Sequence, residues 1–299
     1  MVANLAVVTP RRKLLGCVCP GGYEMFASTT LGSRIEAAEA RLTASIGDHF
    51  LVTRPDLRVV VQRLGSGVAV FAGTSSPMNK MIGVGFGDPP TDDDLKSIED
   101  AFRDRNAPLQ AEVSALARPD FVARLSARGY QLKGFENVHG RTVSSAGHTP
   151  ARNPIDITLM RDDERDLWVD ASITSFLDGD IEGAQADELP PREALEGPIR
   201  AVMDVPGFQR YCAWIDGQLV GTATLRIDDG LAQLCGAATL PAFRRRGVQT
   251  ALLQRRLADA AAAGCEIALM TTSPGTKSQE NGLKQGFALL YVRALLVKA

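Results

Sequence analysis

The chain has 299 residues, 45% of them hydrophobic and 23% charged, with a formal net charge of -2. That composition fits a globular protein with room for two domains of ordinary size. So small a charge gives no support to general nucleic-acid binding, and no run of about 18 apolar residues is present to span a membrane. The five cysteines, Cys17, Cys19, Cys212, Cys235 and Cys265, are odd in number and mostly scattered. They suit a reducing, cytoplasmic setting better than a disulfide framework. Cys17-x-Cys19 has no second Cys/His pair at ligand spacing, so no metal site is expected.

Residues 1–22 read as a loose leader, because Pro10, Pro20, Gly21 and Gly22 oppose regular structure. Arg11-Arg12 and Leu14-Leu15-Gly16-Cys17 look like fragments of export signals. The apolar core of about 7–15 residues that such a signal needs is missing. A first domain is expected over 23–143. Val59–Val61 and Val68–Phe71 read as a hairpin about Gly65-Ser66-Gly67, and Lys80–Phe86 as a strand. A helix at Asp92–Arg105, a strand at Leu109–Val113, a helix at Asp120–Arg128 and a strand at Gln131–Val143 follow. Residues 144–154, rich in Ser, Thr, Gly and Pro, read as a linker.

The second domain, 155–299, is clearer. Ile155–Leu159 alternates as a strand does. Asp162–Phe176 and Pro190–Val205 read as helices, the second with proline at its start. Phe208–Ile215 and Gln218–Ile227 flank Asp216-Gly217, a strong hairpin signal. Asp228-Asp229-Gly230 turns into the strand Leu231–Leu240. The helix 248–263 stops at Gly264. The strand Glu266–Thr271, the helix Thr276–Gln285 and the strand Ala288–Val297 complete the chain. The last four elements of the first domain repeat this order, and Gly129-Tyr130 sits where Gly286-Phe287 sits.

Between the strand Leu231–Leu240 and its helix lies Pro241-Ala242-Phe243-Arg244-Arg245-Arg246-Gly247-Val248-Gln249-Thr250. A strand, a basic glycine turn and a helix leave several N–H groups unpaired at a helix N-terminus, a site for phosphate or pyrophosphate. The stretch resembles the acetyl-CoA loop of the GNAT superfamily of acyl-CoA-dependent N-acyltransferases, whose pattern is Arg/Gln-x-x-Gly-x-Gly/Ala. Here it reads Arg244-x-x-Gly247-x-Gln249, with Gln at the last, usually small, position. The element order and the closing Gly286-Phe287 match the same superfamily. The resemblance implies an α+β protein of two GNAT-like domains, each a mixed central sheet flanked by helices. The corresponding turn of the first domain, Gly87–Asp94, carries two prolines and four aspartates. It lacks donors and would repel a pyrophosphate, so that domain is expected to be degenerate, with Thr91 or Asp92 as an ordinary N-cap.

The resemblance further implies acetyl-CoA as co-substrate and a primary amine, of a small molecule or a peptide, as acceptor. The backbone of Ala238, Thr239 and Leu240 would meet the pantetheine amides, with an oxyanion donor among them. The amides of Arg245, Arg246, Gly247, Val248, Gln249 and Thr250 would hold the pyrophosphate, and the Arg245 and Arg246 side chains would reach phosphates. Two family features are missing. The thiolate acid, usually a Tyr five residues before the Phe that closes the last helix, falls on Gly282. Ser278 and Asn281 are the nearby candidates. The Glu common on the central strand is replaced by Gln233 and Cys235. Gly282 sits in a helix interior, where glycine has no folding advantage. Tyr211 and Tyr291 lie in strands and read as packing. The acidic stretch 178–188 is either a solvated loop or a mouth that draws a cationic amine. A non-catalytic module that binds acyl-CoA or a partner remains the second reading, and self-association into a homodimer is left open.

Overall fold

The structure, a computed structural model, describes residues 25–143, 155–178 and 191–299. The expected leader with Cys17 and Cys19, the linker 144–154 and the acidic stretch beyond Asp178 lie outside the described residues. The first half contains α1 (Thr29–Thr53), β1 (Val60–Leu64), β2 (Gly67–Phe71), β3 (Lys80–Ile82), α2 (Asp92–Arg103), β4 (Leu109–Ser114), α3 (Pro119–Ala127) and β5 (Gln131–Thr142). The second contains β6 (Asp156–Leu159), α4 (Arg165–Leu177), α5 (Arg192–Asp204), β7 (Phe208–Ile215), β8 (Gln218–Asp228), β9 (Leu231–Thr239), α6 (Val248–Ala262), β10 (Ile267–Thr272), α7 (Lys277–Lys284) and β11 (Ala288–Lys298).

Most elements fall where their patterns predict. Asp216 and Gly217 both take positive φ, 50° and 75°, as a two-residue hairpin turn of the mirror-image type requires. The strand expected at Lys80–Phe86 stops at Ile82, because Gly83 and Gly85, at φ 75° and 90°, leave the extended region. The 25-residue helix α1 has no counterpart in the reading above. Its buried side is mostly small, with Gly32, Ala38, Ala40, Ala44 and Gly47, so its periodic signal is weak. Smallness lets it lie close to the sheet: a Cβ on Gly47 would stand 2.7 Å from Val61 Cγ2.

The strands form one 11-stranded sheet in the order β1-β2-β3-β4-β11-β5-β10-β9-β8-β7-β6. The sheet is mixed, since β3 pairs parallel with β4 and β9 parallel with β10, while the other pairs are antiparallel. Each half is completed by the last strand of the other. Strand β5 runs beside β10, from Thr142 opposite Ile267 to Asn137 opposite Thr272. Strand β11 runs beside β4, from Ser114 opposite Arg293 to Leu109 opposite Lys298. The exchanged strands then pair with each other at the centre.

Helices cover both faces. On β2, Val68 and Val70 face α1, whereas Ala69 and Phe71 face α2 and α3. On β7, Cys212 faces α4 and α5, whereas Tyr211 and Ala213 face α6. Helices α1 and α5 share one apolar cluster, so they lie on the same side. Beneath α1 the centre of the sheet is charged. Arg293 on β11 meets Glu36 of α1 at 2.8 Å and Glu136 of β5 at 2.7 Å, and Tyr291 donates to Glu36 at 2.7 Å. These bonds tie α1 to both exchanged strands.

Candidate active site

Strands β9 and β10 pair only where Leu231–Gln233 faces Ile267–Leu269. Beyond that, β9 stays with β8 as far as Thr239 opposite Gly221, while β10 stays with β5 as far as Thr272 opposite Asn137. The two strands part and leave a wedge. Its β9 wall carries one extra residue relative to β8, between the pairs Thr222–Ala238 and Thr224–Cys235. Such a bulge re-aims a strand. Gly236, at φ 47°, lies within it, and Gly236 and Ala237 are exposed. The bulge is braced from behind. The Cys235 carbonyl accepts from Thr224 Oγ1 at 2.9 Å and from Nη1 of Arg256, a buried residue of α6, at 3.5 Å.

The basic turn opens α6 at the same end of the wedge. Gly247 is the N-cap, at φ 87°, a left-handed conformation that favours glycine. No side chain caps the helix. The first helical bond of the backbone runs from Ala251 to Gly247, at 3.0 Å. The N–H groups of Val248, Gln249 and Thr250 have no backbone acceptor among the described residues. Among the described residues, nothing lies within 4 Å of where a Gly247 Cβ would stand. Arg245 and Arg246 are exposed, with Arg246 5.1 Å from the Phe243 ring centroid. Arg244 instead donates to the Asp178 carbonyl. An anion fits this donor set in kind, because unpaired amides and the positive helix end lie at the start of α6 with two exposed arginines next to them in the chain.

Gln249, where a small residue was expected, donates to Thr239 Oγ1 at 3.0 Å and ties the helix start to β9. Leu240 is engaged inside the fold: its N–H donates to Val220 and its carbonyl accepts from Phe243, both at 2.9 Å. Gly221 allows the close approach of α6, since a Cβ there would stand 2.7 Å from Val248 Cγ1. None of these departures is visible as a site in a motif scan, but each shapes the wall.

On the β10 side, α7 brings Ser278 to an exposed position and Asn281 to a half-buried one. At Gly282 a Cβ would stand 2.7 Å from Met270 Sδ on β10, the far end of a flexible side chain that would have to shift for a larger residue to enter. Tyr211 and Tyr291 are buried, as expected of packing residues. Tyr211 Oη lies within hydrogen-bond distance of both Gln209 and Asp259, with its one proton for either, and Tyr291 donates to Glu36. Burial drives both phenols well above the ordinary tyrosine value. At the half-buried Cys235, burial, and then the nearby Glu39 carboxylate, push the thiol up to about 12. Among the described residues no group of His, Cys, Asp and Glu could hold a metal ion, and no helix is long and apolar enough to cross a membrane.

In the first half the equivalent place is built differently. Strand β3 pairs with β4 over Lys80–Ile82 and Gln110–Glu112, but the Arg118 N–H then donates to the Gly85 carbonyl at 3.0 Å, bridging the gap. Helix α2 is capped as the sequence suggests. Thr91 Oγ1 accepts from the Asp94 N–H at 3.1 Å, and Asp94 Oδ2 accepts from the Thr91 N–H at 2.9 Å. The reciprocal capping box satisfies the third helical amide, whose counterpart in the second half, at Thr250, has no backbone acceptor among the described residues. A concavity of about 530 Å³ lies away from the wedge, between α1 and the loops bearing Phe86 and Asp229; its arginines, Arg34 and Arg41, already pair with Asp229, Glu266 and Asp228.

A mixed sheet opened at one parallel pair, with a glycine turn leading into a helix at the opening, defines the GNAT fold. Residues 175–287 match the model of the acetyltransferase (GNAT) family, and this places the second half of the chain in the GNAT superfamily. The whole chain is similar in fold to a GCN5-related N-acetyltransferase from Kribbella flavida. The identity is 18%, the TM-score 0.61, and 89% of this chain and 95% of that one are covered. It is also similar to a tandem GNAT protein from the clavulanic acid biosynthesis pathway, at 13% identity and a TM-score of 0.56, with 88% and 96% covered. A GCN5-related N-acetyltransferase from Sphaerobacter thermophilus gives 14% and 0.55, over 88% and 92%. No curated protein matches by sequence.

Proposed function

We propose that the chain is an N-acyltransferase that moves an acetyl group from acetyl-CoA to a primary amine of a small molecule or peptide, by direct attack. The observation that carries this reading is the uncapped start of α6 behind Gly247, set beside the open wedge between β9 and β10. The amides of Arg245, Arg246, Gly247, Val248, Gln249 and Thr250 would hold the pyrophosphate, with the Arg245 and Arg246 guanidinium groups at its rim. Ala238 and Thr239 would meet the pantetheine along the β9 wall, and Leu240 closes that wall. A backbone N–H of the bulge would receive the developing oxyanion. Alignment of amine and thioester supplies much of the acceleration. Ser278 and Asn281 are the side chains that would pass a proton to the leaving thiolate, directly or through water. The high thiol value of Cys235 favours direct attack over a covalent acyl-enzyme.

A second reading has one observation in its favour. Met270 lies against Gly282, where the family's phenol would be expected, and this suits a module that binds acyl-CoA without turning it over. One experiment separates the two. Acetyl-CoA and a panel of primary amines are incubated with the protein and free thiol is followed, with CoA binding measured in parallel by calorimetry. Amine-dependent thiol release supports the transferase. CoA binding with no release for any amine supports the binding module, and no CoA binding overturns both.

A further inference from the structure

The strand β9 lacks the carboxylate that would be expected to take the proton of the attacking amine, and Gln233 and Cys235 stand in its place. The other half of the chain brings a carboxylate to this point. Helix α1 crosses the sheet on the face that Gln233 and Cys235 share; side chains two apart on a strand point the same way, and Cys235 packs with Ala40 and Ala44 of α1. Glu39 of α1 accepts from Gln233 Nε2 at 2.7 Å. Gln233 is the last residue of β9 to pair with β10, so Glu39 stands where the wedge begins to open. It lies opposite α6, whose cluster includes the intervening Ala232.

The orientation of Glu39 is built, not incidental. Arg226 donates to Gln233 Oε1. A guanidinium has no acceptor, so the amide must present its oxygen to Arg226 and its NH2 to Glu39. Arg226 is held in turn by Asp228 at 3.1 Å, which Arg41 also meets at 2.9 Å. Arg226 and Gln233 are buried. Glu39 is half-buried; its carboxylate is fixed by Gln233 and lies near the Glu36, Lys80, Arg293 and Cys235 side chains.

The geometry points to Glu39 as the general base for the amine, supplied across the molecule by the half that has no open cofactor turn. This rests on the transferase reading given above. The ammonium group gives one proton to Glu39, directly or through one water, and its nitrogen lone pair forms the bond to the thioester carbon. The carbon–sulfur bond breaks, and its electron pair leaves with sulfur. A second nitrogen proton reaches the thiolate and the third stays on the amide. One proton is released to solvent through Glu39 for each acetyl group moved.

The test compares wild type, Glu39→Gln, and the double variant Glu39→Gln with Gln233→Glu. Turnover of a primary amine, its pH profile and CoA affinity by calorimetry are read for each. General base catalysis is worth roughly 10²–10⁴-fold, so Glu39→Gln should lose about 100-fold in kcat or more, lose the acidic limb of its pH profile and keep its CoA affinity. The double variant returns a carboxylate to the same spot from β9, and should recover part of the turnover with an acidic limb. Glu39→Gln turning over within about threefold of wild type, with the same profile, overturns the role of Glu39 and leaves the transferase reading standing. A double variant that folds, binds CoA and is no faster than the single one also overturns it. A wild type that binds CoA and acylates no amine overturns the transferase reading and this role with it.

Discussion

The two strand-to-helix turns of this molecule stand at equivalent places in a repeated fold and treat the same helix end in opposite ways. After β3, the chain caps α2 with its own Thr91 and Asp94, places three acidic residues in the first turn, and bridges the neighbouring gap through Arg118 and Gly85. After β9, no described side chain caps α6, and at the left-handed Gly247 no described atom lies within 4 Å of where a Cβ would stand. A helix N-terminus is worth roughly 0.3–2 kcal/mol to a nearby anion. Closing it with aspartate uses that energy for stability, and leaving it open reserves it for a ligand. The comparison teaches that a degenerate site can be recognised by the satisfaction of its backbone, more surely than by the loss of any one side chain.

The largest effect is expected from breaking the open turn. Gly247→Pro demands φ near -65° where the chain has 87°, and it removes one amide. CoA binding should be lost, while the far-ultraviolet spectrum and the melting temperature of the sheet change little. Calorimetry of wild type should show one CoA per chain. Two equivalent sites would mean that the capped α2 turn also accepts the cofactor, and the contrast drawn above would fall.

Next in size is the coupling of the halves. Arg293 belongs to the second half by sequence and to the first half's sheet by position, and it is 1% exposed. Burial raises the Glu36 carboxyl above its ordinary value, against the pull of Arg293. Arg293→Met leaves Glu36 and Glu136 without this cation, and breaking a buried pair from one side costs about 3–5 kcal/mol. The sign with pH follows. A carboxyl raised in the folded state is tolerated below its unfolded value and costs stability as pH rises past it. The deficit of Arg293→Met should therefore be largest near neutrality and smaller in acid. Urea melts at both conditions measure it, and a loss confined to one half would show that the exchanged strands do not couple them.

Much of this arrangement is legible in the sequence, and what escapes has physical causes. Turns with a required backbone state are easy: Asp216-Gly217 announces its hairpin, and Thr91 with Asp94 its cap. The Gly247 turn announces an anion site because basic residues and a glycine precede a helix. Strand exchange leaves no such mark, since β5 and β11 carry the same alternation whichever strand they pair with. Helix α1 is hidden because half of its buried face is alanine and glycine, and so Glu39 had no frame in which to be noticed. Gly282 is the converse case. Its spacing reads as a missing phenol, and only three-dimensional packing shows that Met270 Sδ lies beside it.

A smaller effect sharpens the assignment of the open turn. Replacing Arg245 and Arg246 with glutamine removes two exposed charges and no buried contact. Each such charge near the helix start contributes through screened solvent, with a Debye length of about 10 Å at 0.1 M salt. CoA affinity should fall by about tenfold in dilute buffer and by less at high salt, because surface pairs are worth at most about 1 kcal/mol each. Affinity that is unchanged in dilute buffer would leave the α6 amides as the whole of the anion site.

The smallest effect tests the central seam. His139 lies on β5 opposite Met270 of β10 and Leu289 of β11. It is buried, its Nε2 stands 3.1 Å from Thr272 Oγ1, and its Nδ1 has no partner among the described residues. Burial lowers its pKa from the ordinary value of 6.5. The unfolded chain therefore takes up this proton before the folded one does. Stability from this residue is present above pH 6.5 and is lost as pH falls below it, through the folded value, with a slope of at most about 1.4 kcal/mol per pH unit. His139→Gln keeps an amide within reach of Thr272 and removes the titration. Thermal melts between pH 5 and pH 8 should show the variant losing less stability than wild type on the acid side, with parallel curves above pH 7. Parallel curves throughout would mean that His139 titrates alike in both states, and that the seam between the exchanged strands admits water which the packing around it excludes.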